Sequence, residues 1–123
     1  MQDHRQLEIW KRSMDYVVEV YQWCLQLPKD ERYNLTDQLK RACTSVPLNI
    51  AEGAACETNG DFARFLGYSY RSLKESVTCL ELCERLYPSL SNAPTCLINE
   101  AEQLAKMTRT LIQRLKPPFI QET

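Results

Sequence analysis

Glycine is scarce in this chain of 123 residues, with only three, and histidine scarcer still, with His4 alone. So little glycine argues against a turn-rich β fold. One histidine and no Cys-x-x-Cys pair leave no pattern suited to zinc. The sequence also lacks a Gly-rich phosphate loop, a His-Glu-x-x-His motif and the Glu-x-x-His pair that holds metal in ferritin-like bundles. No catalytic residue, metal ligand or cofactor is expected, and His4 reads as a surface residue. No stretch approaches the roughly 18 consecutive apolar residues of a membrane span, and Met1 to Arg5 has no signal-peptide character. The expectation is a cytoplasmic protein without a membrane partner.

What the chain does contain favours helix. Hydrophobic residues make up 44% and charged residues 25%, with a net charge of −1. Six cysteines fall mostly within helical patterns, where cysteine behaves as a small apolar side chain, so buried free thiols are expected. Residues 7 to 27 are free of Gly and Pro and carry Leu7, Trp10, Met14, Val17 and Tyr21 at helical spacing. Leu35, Leu39, Ala42, Val46 and Ile50 mark a second helix, with Thr36 as its expected N-cap and Asn34 in a left-handed conformation. Pro47 must disturb its hydrogen bonding near Cys43. Phe62, Leu66, Ser69, Leu73, Val77 and Leu80 mark a third, opened by Asn59 or Asp61 as cap. Leu97, Ala101, Leu104, Thr108, Leu111 and Leu115 mark a fourth, stopped by Pro117 and Pro118. The spacing predicts one domain over residues 1–123, an all-α, antiparallel up-down-up-down four-helix bundle with helices at about 4–27, 35–57, 60–87 and 93–116.

Three of these helices are apolar on more than one side. At about 100° per residue, Ile9, Tyr16, Val20, Trp23 and Leu27 point away from Leu7, Trp10, Met14 and Tyr21. The stripe beginning at Leu7 is assigned to the core, so the one containing Trp23 is expected to need a partner. The third helix repeats the pattern with Phe65, Tyr68, Ser72, Glu75, Cys79, Leu82 and Leu86. Excess apolar surface of this kind marks an interaction site. On the second helix Gln38, Arg41, Ser45, Asn49 and Glu52 form a polar stripe. It is either a solvated flank or an interface network in which Arg41 pairs with Glu52 or Glu75. The expected self-association surface is therefore Ile9, Tyr16, Val20, Trp23, Arg41, Asn49, Glu52, Phe65, Tyr68 and Glu75.

The run Gln38-Leu39-Lys40-Arg41-Ala42, followed by Ser45-Val46-Pro47-Leu48-Asn49-Ile50-Ala51-Glu52-Gly53, resembles the signature of the ribosomal intervening-sequence, or four helix bundle, proteins. Leu7 to Trp10, Tyr21, Pro28, Asp61 to Leu66 and Ser72 to Glu75 are also similar, so the likeness spans most of the chain. The resemblance implies a homopentameric ring of small antiparallel bundles without catalytic activity. Some members are encoded within large-subunit rRNA genes, and a related accessory subunit of diversity-generating retroelements binds reverse transcriptase and nucleic acid. Two features depart from the pattern. Ala54, Ala55 and Cys56 stand where a basic residue is common, and Arg71 stands where a small residue, usually Gly, precedes Ser72.

Two functions follow as expectations. In the first, a non-enzymatic oligomeric scaffold docks a protein partner, such as a nucleic-acid enzyme. In the second, the ring binds RNA or DNA itself through Lys106, Arg109, Arg114 and Lys116 of the fourth helix, cations that also complement the negative end of the helix dipole. A small-molecule pocket among Tyr16, Trp23 and Tyr68 has only aromatic content in its favour.

Overall fold

A computed structural model describes residues 1–90 and 93–116. Its four helices are α1 (Glu8–Cys24), α2 (Leu35–Ala54), α3 (Asn59–Leu86) and α4 (Ala93–Leu115), with short 3-10 turns at His4–Gln6 and Lys29–Glu31. The expected stop at Pro117 and Pro118 lies outside the described residues.

Every neighbouring pair of helices runs antiparallel. Ser45 of α2 meets Ser72 of α3 while Gly53 meets Phe62, Thr95 at the start of α4 meets Glu84 near the end of α3, and the start of α1 at Glu8 and Ile9 lies beside Met107 to Arg114 of α4 while Trp23 near its end lies beside Ala93 and Leu97. α2 and α4 each pack against both α1 and α3, so α1 and α3 face each other across the core diagonal. The bundle is the up-down-up-down form that short connections dictate.

Local chemistry sets the helix ends differently from expectation. Leu7 is extended (φ −80°, ψ 127°), so α1 starts at Glu8 instead of continuing from His4. The chain ahead of it is clasped to the far end of α2, where the Gln2 amide donates to the Ala54 carbonyl at 2.8 Å. Asn34, not Thr36, occupies the cap position of α2, with φ −129° and no side-chain capping bond. The turn therefore does not use the left-handed region. On α3 the cap is Thr58, whose hydroxyl accepts from the Asp61 amide at 3.1 Å, one residue ahead of the expected Asn59. The turn between α1 and α2 is held from a distance: Tyr87, just past α3, donates its phenolic hydrogen to Glu31.

The core inverts the expected faces of α1. Ile9, Tyr16, Val20, Trp23 and Leu27 are all buried in the chain's own interior, with Tyr16 and Val20 fully so. Each full burial of this kind contributes about 1.5–3 kcal/mol. Of the opposite stripe, Met14 and Tyr21 are exposed, while Leu7, Trp10 and Val17 are half-buried against the same core. The expected stripes of α2 and α4 do line the core, with Leu39, Val46, Ile50, Ala101 and Leu104 essentially inaccessible. The hydroxyls buried among them are satisfied locally: Ser13 donates to the Trp10 carbonyl, Ser76 to that of Leu73 and Thr108 to that of Leu104.

Candidate functional site

The Ser45 to Gly53 motif is explained by the seam between α2 and α3. Pro47 has no N–H to return to Cys43, and next to this interruption the Ser69 hydroxyl of α3 donates to the Val46 carbonyl at 2.8 Å. Asn49 donates its amide to both the carbonyl and the hydroxyl oxygen of Ser45, each at 2.9 Å, and Ser72 donates to the same hydroxyl at 3.0 Å. Gly53 ends the motif where a Cβ would lie 2.9 Å from the Phe62 ring and 2.9 Å from Cβ of Phe65. Only hydrogen fits there. The pattern is thus the means by which two helices approach closely, and Asn49, expected at an intersubunit network, works within the chain.

The other expected interface residues divide. Ile9, Tyr16, Val20 and Trp23 belong to the core, because the α1 face that carries them is the one turned inward. With Tyr16 and Trp23 inside and Tyr68 on the surface, the three do not form a common pocket. Arg41, Glu52 and Glu75 are exposed. Arg41 pairs neither with Glu52 nor with Glu75 but with Asp37, one turn back on its own helix, at 3.5 Å. Gln38, Arg41, Ser45, Ser72 and Glu75 line an open polar cleft of about 390 Å³. Beside it, Phe65 and Tyr68 meet edge to face at 5.6 Å, with the Arg64 guanidinium 4.7 Å from the Phe65 ring.

The apolar surface that remains lies on α1 and α3. Met14, Val18, Tyr21 and Leu25 follow one another at spacings of four, three and four, and are 42%, 55%, 41% and 84% exposed. At about 100° per residue they fall within a strip of roughly 60° on the outer side of α1. Lys40 of α2 sits over the Tyr21 ring at 4.7 Å and borders this strip. On α3, diagonally across the bundle, Tyr68, Leu82 and Leu86 are exposed on the second stripe expected there.

The α4 cations also divide. Arg109 and Lys116 line a cleft of about 250 Å³ between α3 and α4, together with Arg71, Tyr70, Gln113 and Ile112. Arg114 is on the other side of α4, beside Leu7, Glu8 and Met107. Lys106 is exposed one turn before Arg109. Sequence reasoning missed Arg71, which it registered only as a departure from a pattern. It also missed the pairing of Arg12 with Glu100, two contacts of 2.7 and 3.1 Å that tie α1 to α4.

All six cysteines are free, but their burial is uneven. Cys24, Cys43, Cys79 and Cys83 are buried, Cys56 is half-buried and Cys96 is exposed, so the expectation of buried thiols fails for the last two. Desolvation pushes the thiol of Cys24 up to about 11 and those of Cys43 and Cys83 up to about 12. Those three are protonated and unreactive at neutral pH. Among the described residues no cluster of three or more His, Cys, Asp or Glu could hold a metal ion, and no helix is long and apolar enough to cross a membrane.

Fold and surface together define a small antiparallel helical bundle with an apolar strip on α1 and exposed apolar side chains on the diagonal α3. The family profile described as 23S rRNA-intervening sequence protein matches residues 5–110, and the chain belongs to that family. Among solved structures, a protein of unknown function from the S23 ribosomal protein family of Bacteroides thetaiotaomicron is similar at 19% identity and a TM-score of 0.75. The likeness covers 85% of this chain and 98% of that one. At this identity it speaks for the fold. Comparison with curated proteins finds no significant match.

Proposed function

We propose that the chain is a non-enzymatic subunit that assembles with identical copies of itself and presents the assembly to a protein partner. The observation that carries this reading is the strip Met14, Val18, Tyr21 and Leu25, which the bundle's own core does not use. A soluble helix normally turns charge to water on its outer side, and an ordered apolar strip there marks a surface that is covered in use. The apolar residues of α3 lie on the helix diagonal to α1, so the two strips face different directions. A contact that joins two different surfaces repeats head to tail and closes into a ring when its rotation allows. The family resemblance implies five copies in that ring. A protein partner, such as a nucleic-acid enzyme, would then meet several identical outer surfaces at once, with the gain in avidity that repetition gives.

Sedimentation velocity over a wide concentration range tests the reading. The expected result is a multiple of the 14.3 kDa chain mass that falls to the single-chain value when Val18 and Leu25 are both changed to Glu. Helical circular dichroism should be retained, since both side chains are exposed. A wild-type protein that remains monomeric when concentrated sinks the proposal.

A further inference from the structure

The cleft between α3 and α4 collects positive charge in a protein whose net charge is −1. Arg71 projects from the middle of α3 and Arg109 from α4, with Lys116 just past the end of α4 at Leu115. Among the described residues neither Arg71 nor Arg109 forms an ion pair with a carboxylate. Complementing a helix dipole does not account for them. That effect is confined to the last turn, whereas Arg71 lies far from the end of α3 at Leu86 and Arg109 lies more than one turn before the end of α4 at Leu115.

The surroundings of these cations narrow the class of ligand. Tyr70 and Ile112 line the cleft beside these cations, and Lys74 sits 5.5 Å from the Tyr70 ring. Lys106 continues the positive line along α4. At the opposite end of the two helices, Glu81 and Glu102 bring the charge back toward neutral. The result is a short cationic cleft with an aromatic side chain. This is the combination that tracks a single nucleic-acid strand, with cations following the backbone and an aromatic surface offered to a base.

We propose that the α3–α4 cleft binds the phosphodiester backbone of a single-stranded nucleic acid through Arg71 and Arg109. Arg114, on the far side of α4, takes no part. The site lies within one chain, so it stands whether or not the copies assemble.

Fluorescence anisotropy of the full chain with an end-labelled oligouridine and an oligothymidine of the same length tests this. Two contacts predict a log–log salt slope of about −1.4, or roughly sevenfold weaker binding at about 200 mM than at about 50 mM salt. Arg71→Gln and Arg109→Gln should each weaken binding about fivefold and reduce the slope by about 0.7. Arg71→Lys should retain most of the affinity, and Arg114→Gln, with the same change in net charge, should leave it unchanged. Four results would overturn the proposal. They are no binding to either strand at low salt, equal losses in Arg71→Gln and Arg114→Gln, a duplex bound as tightly as the strand, and displacement of the strand by inorganic phosphate at matched phosphate concentration.

Discussion

Tyr16 of α1 reaches across the bundle diagonal to Ser76 of α3, their oxygens 2.8 Å apart in the fully buried core. Because the Ser76 hydroxyl gives its hydrogen to the Leu73 carbonyl at 2.8 Å, Tyr16 is the donor in the pair. Burial holds the phenol well above its ordinary pKa, so it is protonated at neutral pH.

That direction of donation makes the two deletions unequal. Tyr16→Phe removes a donor and leaves Ser76 bonded to Leu73, at a cost of about 1 kcal/mol. Ser76→Ala leaves the Tyr16 hydroxyl buried without an acceptor, at a cost nearer 1–3 kcal/mol by the usual scale, roughly. Urea denaturation of the two variants checks the order, and a smaller loss for Ser76→Ala contradicts the assignment.

Two glycines in helices should respond to alanine with opposite signs. Helix propensity alone favours Ala over Gly by about 1 kcal/mol. At Gly67 of α3, where nothing lies within 4 Å of an added Cβ, Gly67→Ala should raise the melting temperature by several degrees. At Gly53 the new methyl meets Phe62 and Phe65 at 2.9 Å, so Gly53→Ala should lower it despite the better propensity. Thermal melts of both, followed at 222 nm by far-ultraviolet circular dichroism, would show the difference directly.

The hydrogen bond from Tyr87 holds the Glu31 carboxyl below its ordinary range, and the same bond pushes the Tyr87 phenol up to about 12. A depressed carboxyl stabilises the fold above its unfolded pKa, and that contribution fades as pH falls through the lowered folded value. For the raised phenol the stabilisation is complete below its unfolded pKa near 10 and disappears as pH climbs toward about 12. Tyr87→Phe should therefore melt a few degrees lower than wild type at neutral pH, with the gap closing in strong acid. A constant gap down to the acid transition argues against the linkage.

Thiol chemistry should follow the burial of the cysteines. With a maleimide under native conditions at mildly alkaline pH, Cys96 should react first and Cys56 more slowly. Cys24, Cys43, Cys79 and Cys83 should be modified only after unfolding. Peptide mapping by mass spectrometry reads the order, and early labelling of Cys43 would show that the core opens locally.

How far the sequence could be read depended on whether a helix had one apolar side or two. On α2 and α4 a single stripe, such as Leu39, Val46 and Ile50, pointed to the core and lies there. On α1 both sides were apolar, and hydrophobicity could not rank them. The decision is tertiary: Tyr16 finds Ser76, and Arg12 at the polar flank finds Glu100, only when Ile9, Val20 and Trp23 turn inward. Two apolar faces were thus visible in advance, but their assignment was reversed. The cationic cleft was half legible. Arg109 and Lys116 share a helix face, while Arg71 joins them through the antiparallel packing of α3 on α4, which no local pattern encodes. Asn49 was read as an interface residue because its bonds to Ser45 and the neighbouring contact from Ser72 depend on the seam around Pro47.

Because α1 and α3 are diagonal, damage to one outer strip leaves the other intact. In the assembly proposed above, a subunit carrying Leu25→Glu would still be received by a wild-type neighbour through its α3 side, yet would offer nothing to the next copy. Such a subunit would be a chain terminator. Mixed into wild type at a small fraction, it should lower the assembled mass far beyond its own share, which sedimentation velocity of the mixture would read.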